Sequence, residues 1–97
     1  MYAKTDEAVE LKVSGKTTPQ KLGGAIAKYL KEVPSVYLTA MGEAAVNAAV
    51  KGIIVAQSYL ALEAHELDIK LGFDMRNDEQ LGKEVTIVVF YVKYATR

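Results

Sequence analysis

The 97-residue sequence contains no cysteine. That excludes a disulfide framework, a thiolate nucleophile and any cysteine-ligated metal. Its single histidine, His65, lies in a connection beside Glu63 and Glu66, where a solvated loop residue is a simpler reading than a general base or a metal ligand. There is no excess charge of either sign: 12 Lys and Arg balance 12 Asp and Glu, which argues against a strongly basic nucleic-acid coat protein. No uninterrupted apolar run reaches membrane-spanning length. The longest apolar region, Ala44 to Leu62, is broken by Asn47, Lys51, Gln57 and Ser58 and does not read as a transmembrane helix. The first seven residues lack the apolar centre of a signal peptide. A cytoplasmic protein without membrane contact is the expectation. There is no Walker pattern to indicate nucleotide hydrolysis, and Asp74–Glu79 lacks calcium-loop spacing and reads as a solvated turn. No catalytic set, metal site or cofactor is identified.

Half of the residues are hydrophobic, enough for one core, and a chain of this length buries roughly 60–65% of its unfolded surface. Residues 1–7 read as a mobile polar lead-in and residues 8–97 as a single domain without linker or repeat. Val9, Leu11 and Val13 alternate with Glu10, Lys12 and Ser14, the period of a strand buried on one face. Gly15-Lys16-Thr17-Thr18 stops it. Thr18 suits an N-cap and Pro19 the first helical position. Leu22, Ile26, Tyr29, Leu30 and Val33 then mark one helical face, and Pro34 ends the helix. Gly23-Gly24 costs roughly 1 kcal/mol per glycine relative to alanine. That points to a close helix–helix or helix–sheet contact, with a ligand against this face as the alternative.

Ser35–Met41 reads as a second strand and Gly42 as a turn. A long second helix follows, from Ala44 to about Leu62, with Asn47, Lys51 and Ser58 along one stripe. Val46, Val50, Ile53, Ile54, Val55, Tyr59 and Leu60 fill the other faces. Such a helix is either central or covered by a partner subunit, and self-association is predicted. Leu67, Ile69, Leu71 and Phe73 alternate as a third strand, and Asp74–Lys83 reads as a hairpin loop. Val85–Val92 is almost continuously apolar, as in a strand buried on both faces. The order is strand, helix, strand, helix, strand, strand: a two-layer α/β domain.

Between Leu11 and Leu30 there are four lysines and no acidic residue. Lys12, Ser14, Lys16, Thr17 and Lys21 therefore place donors and positive charge at a helix N-terminus, which already favours anions. A phosphate site needs these groups at an open turn. The same residues equally fit an ordinary capped helix with solvated lysines. Asn47 and Lys51 either face the same opening or form a solvated stripe. Tyr91, Lys93 and Tyr94 have the aromatic-plus-cation character of base-stacking sites, although packing in the core and at the sheet edge is the simpler reading.

Leu11-Lys12-Val13-Ser14-Gly15-Lys16-Thr17-Thr18-Pro19, Gly24-Ala25-Ile26-Ala27, and Met41-Gly42 followed by Ala45-Val46-Asn47-Ala48-Ala49-Val50-Lys51 resemble the stage V sporulation protein S (SpoVS) family. More distantly they resemble the archaeal chromatin protein Alba. The resemblance runs from residue 9 to about 94. It implies an Alba-like β-α-β-α-β-β fold, an α+β two-layer sandwich. The four-stranded mixed sheet would carry both helices on one face, with the last strand inside the sheet. It further implies a homodimer or higher homo-oligomer, binding to DNA or RNA, and a non-enzymatic regulatory role linked to sporulation or gene expression. In Alba-like proteins, basic residues after the first strand and on the final hairpin embrace the nucleic-acid backbone. Lys16 and Lys21 occupy the first region here, and Arg76 and Lys83 the second. Two features depart from that pattern. Glu43 stands where Alba proteins carry an arginine, and Asp74, Asp78 and Glu79 load the hairpin with negative charge. The expected interface is thus Lys12, Ser14, Lys16, Thr17, Lys21, Asn47, Lys51, Arg76 and Lys83, with weak to moderate, salt-sensitive binding. The competing class is an oligomeric scaffold that recruits proteins and no nucleic acid.

Overall fold

A computed structural model describes residues 2–4, as backbone, and residues 8–95. Strands β1 (Tyr2–Lys4) and β2 (Ala8–Val13) pair antiparallel, with Tyr2 opposite Leu11 and Lys4 opposite Val9. Part of the expected lead-in is therefore an edge strand; Met1 and residues 5–7 lie outside the described residues. Helix α1 (Pro19–Leu30) carries the chain over to β3 (Ser35–Ala40), which runs parallel to β2. Helix α2 (Glu43–Ala61) then leads to β4 (Leu67–Asp78) and β5 (Lys83–Tyr94). The sheet order is β1-β2-β3-β5-β4, with β5 antiparallel to both neighbours. The four-stranded mixed sheet is thus as expected, with one short strand added at its edge.

Period-two alternation divides the sheet into two unlike faces. Val9, Leu11 and Val13 on β2, Val36, Leu38 and Ala40 on β3, and Phe90 and Val92 on β5 are buried in the core with both helices. From α1 come Leu22, Ile26 and Leu30; from α2 come Ala45, Ala48, Ala49, Ile53, Ala56 and Leu60. Helix α2 is long and apolar enough to suit a membrane span; one face of it is packed into the domain, while Val50, Ile54 and Tyr59 remain exposed. The inner strand β5 is buried on both sides in its middle, since Ile87 and Val89 of the opposite face are buried too. Hence its continuous apolar run.

The two helices cross at small residues. A Cβ on Gly23 would lie 2.5 Å from Val55 Cγ1 and 2.9 Å from the Gly52 carbonyl oxygen. One on Gly52 would run into the side chain of Leu22. The costly glycine at 23 is therefore explained by helix–helix contact, whereas Gly24 faces open space.

The final hairpin differs from the expectation. Its loop is residues 79–82 alone, not Asp74–Lys83, because the ladder continues to the pair Asp78–Lys83. Asp78 closes the turn: its carboxylate accepts from the Gln80 and Leu81 amides at 2.9 and 3.2 Å. Gly82 takes a positive φ of 65°. Asn77 and Asp78, which look like loop residues, are the last residues of β4.

Candidate nucleic-acid interface

The turn between β2 and α1 is built by its own hydroxyls. The Thr17 amide donates to the Ser14 carbonyl at 3.1 Å. The Ser14 amide donates to Thr17 Oγ1 at 2.9 Å, and the Lys16 amide to Ser14 Oγ at 3.2 Å. Ser14 and Thr17 thus shape the turn and leave Lys16 exposed at its tip. Thr18 occupies the N-cap position with extended backbone, and its carbonyl accepts from the Leu22 amide at 2.9 Å. Its hydroxyl makes no cap hydrogen bond, so the expected side-chain cap is absent and the first-turn amides are not closed off by it. No acidic residue lies in that first turn, and Lys21 there is exposed. Helix α2 is the opposite case, since Glu43 sits in its own first turn. Of the two helix N-termini, the one at α1 has no carboxylate within its own first turn to offset the positive end of its dipole.

Gly15 brings this turn against α2. A Cβ at Gly15 would stand 2.8 Å from Ala44 Cβ. Asn47 and Lys51 follow Ala44 by three and seven residues, which places them on the same helical stripe, and both are exposed. Lys16 is at the tip of that turn and Lys21 in the first turn of α1, while Asn47 and Lys51 lie farther along α2 on the stripe that starts at Ala44. Lys12 stands apart on the helix-free sheet face, in register with Thr39 of β3.

Arg76 is not a projecting hairpin cation. Its Nη1 lies 3.3 Å from Glu10 Oε2 and its Nε donates to Asp74 Oδ2 at 3.3 Å. The same Glu10 oxygen accepts from Thr39 Oγ1 at 3.0 Å. Desolvation opposes the guanidinium charge, but the hydrogen bond to Asp74 and the charge of Glu10 outweigh it and hold the Arg76 pKa above its ordinary value. Glu10 is only 8% exposed, and a carboxylate so placed needs partners. Its capture of Arg76 across 66 positions left no local trace in the sequence. Lys83 remains exposed at the start of β5, opposite Asp78. Beside the hairpin turn runs a groove of about 370 Å³, bordered by Lys12, Thr39, Met41 and Arg76 and also by Asp78 and Glu79.

Of the aromatic candidates, Tyr94 is committed to packing. Its ring stacks on exposed His65 with centroids 4.2 Å apart. Tyr91 instead lies on the helix-free face beside Tyr37, their ring centroids 6.4 Å apart.

Residues 9–95 match the sequence profile described as Stage V sporulation protein S (SpoVS). The chain belongs to the SpoVS family. The SpoVS chain is also similar to the solved structure of Alba from Thermoplasma volcanium, with a TM-score of 0.51 at 11% identity. That likeness covers 89% of the SpoVS chain and 100% of the Alba chain. At so low an identity the similarity establishes an Alba-like fold.

Proposed function

We propose that this protein is a non-enzymatic, cytoplasmic, homo-oligomeric regulator that binds DNA or RNA backbones at the Lys16 turn. The observation that carries this reading is the α1 N-terminus: a lysine turn with no acidic residue in the helix's own first turn and no side-chain cap, resting on the start of α2. Lys16, Lys21 and Lys51 supply the charge, and Ser14, Thr17 and Asn47 supply polar groups around it. Lys12 and Lys83 are outlying contacts. Arg76 contributes only when it leaves Glu10 and Asp74. With so few cations, binding is weak to moderate and salt-sensitive. The family name supports a role in sporulation or the control of gene expression.

The test is binding of labelled duplex and single-stranded oligonucleotides at low salt by wild type and by the double variant Lys16→Glu/Lys21→Glu. Binding by wild type and its loss in the folded variant support the reading. Equal affinity of the two proteins overturns it.

A second reading is favoured by a separate observation. Leu71, Phe73 and Met75 lie along one side of β4 and are 65%, 80% and 52% exposed. This apolar strip fits an oligomeric scaffold that recruits protein through its β4 strand, with no nucleic-acid contact.

A further inference from the structure

Every second residue of β3, β4 and β5 points to the sheet face without helices, and the middle of that face is aromatic. Tyr37 of β3 pairs in register with Tyr91 of β5, which in turn pairs with Lys70 of β4. The next row brings Ser35, Lys93 and Asp68 together across the same strands. These six residues border a shallow recess of about 190 Å³. Tyr91 is 50% exposed, so much of its ring stays in water, although apolar neighbours exist in the sheet. On the other side of the ring is Gly72, where a Cβ would stand 3.6 Å from Tyr91 Cε2. No side chain rises from that position to cover the ring.

We infer that this face is a stacking platform for single-stranded nucleic acid, with Tyr37 and Tyr91 each carrying a base and Lys70 and Lys93 meeting the adjoining phosphates. Aromatic rings beside cations on a sheet are the chemistry that holds single strands. The charge around the rings fits an anionic occupant. Lys70 stands next to Tyr91, and Lys93 follows on the same face, opposed by Asp68 alone in its row. Glu10, the carboxylate in the Tyr37 row, already serves Thr39 and Arg76. The surface also selects against a duplex. Bases within a duplex do not expose their faces to such a surface. The ligand class is shared with the proposed function, but none of the residues is, so the two fail separately.

The experiment compares wild type, Tyr37→Leu, Tyr91→Leu and Tyr91→Phe. The probes are a mixed-sequence single strand about 12 nucleotides long, within the span of known single-strand sites, and the corresponding duplex. Each leucine variant is expected to bind the single strand about 5- to 100-fold more weakly, with duplex binding unchanged, while Tyr91→Phe keeps its affinity. Charge reversal at Lys16 and Lys21 leaves the tyrosine dependence in place. A folded leucine variant with wild-type affinity for the single strand overturns the inference, as does a wild-type protein that does not bind it. Should the leucine variants unfold, titration of wild type with the single strand is followed by NMR. Upfield shifts of the Tyr37 and Tyr91 ring protons support the platform, and unmoved rings at saturation overturn it.

Discussion

Glu10 does for the polar side of the sheet what Leu38 does for the apolar side: it ties neighbouring strands together. One of its oxygens serves both Thr39 and Arg76, so truncation leaves two donors without their acceptor. Glu10→Ala is expected to lower unfolding free energy by about 1–3 kcal/mol in urea titrations; an unchanged midpoint contradicts this. The glycine pair makes a sharper test, because adjacent residues should respond with opposite signs. Gly24 has open space around it, and alanine there removes a helix penalty of roughly 0.5–1 kcal/mol. Gly23→Ala must displace Val55 or the Gly52 carbonyl and should cost about 1–3 kcal/mol. Thermal unfolding of the two variants reads both signs. Gly42, at φ 88° and ψ 163°, sits in a region open to little but glycine, so Gly42→Ala should also cost about 1–3 kcal/mol.

At the scale of elements, the hairpin is the least supported part of the domain. Leu67 and Ile69 pack against the core, but farther along β4 the apolar positions Leu71, Phe73 and Met75 remain exposed. If this strip is the self-association surface, Phe73→Lys disperses the oligomer in light scattering and changes folding stability by no more than about 0.5 kcal/mol, as for an exposed site. Unaltered oligomer mass would place the interface elsewhere. The strip also shows where sequence patterns were informative. Helix α1 and strand β2 were legible because each buries one periodic face, as at Leu22–Ile26–Leu30 and Val9–Leu11–Val13, and β5 because its middle is apolar on both faces. The end of β4 was not, because Asp74, Asn77 and Asp78 are turn formers by local preference, and only pairing with β5 keeps them extended. The Lys16 turn was legible as an open, basic helix start. The hydroxyl bonding of Ser14 and Thr17 was not, nor was the removal of Arg76 to Glu10, a contact between residues distant in sequence. Tyr37 gave no signal as a partner of Tyr91, since strand register brings the two together.

For the whole molecule, zero net charge means that attraction to a polyanion must come from the arrangement of charge. Lys16 and Lys21 lie exposed at the turn and in the first turn of α1, whereas Asp74 and Glu10 hold the arginine of the hairpin. The Alba-like fold carries the hairpin arginine in ion pairs with Glu10 and Asp74, and under the proposed function this favours local backbone contact over general coating. The measurement that tests this most directly is the salt dependence of nucleic-acid affinity in wild type and Lys16→Gln. With Lys16, Lys21 and Lys51 at phosphates, log affinity against log salt should fall on a duplex with a slope of about −2.7. In Lys16→Gln the slope should become shallower by about one. Identical slopes for the two proteins, or no binding at low salt, would contradict the account.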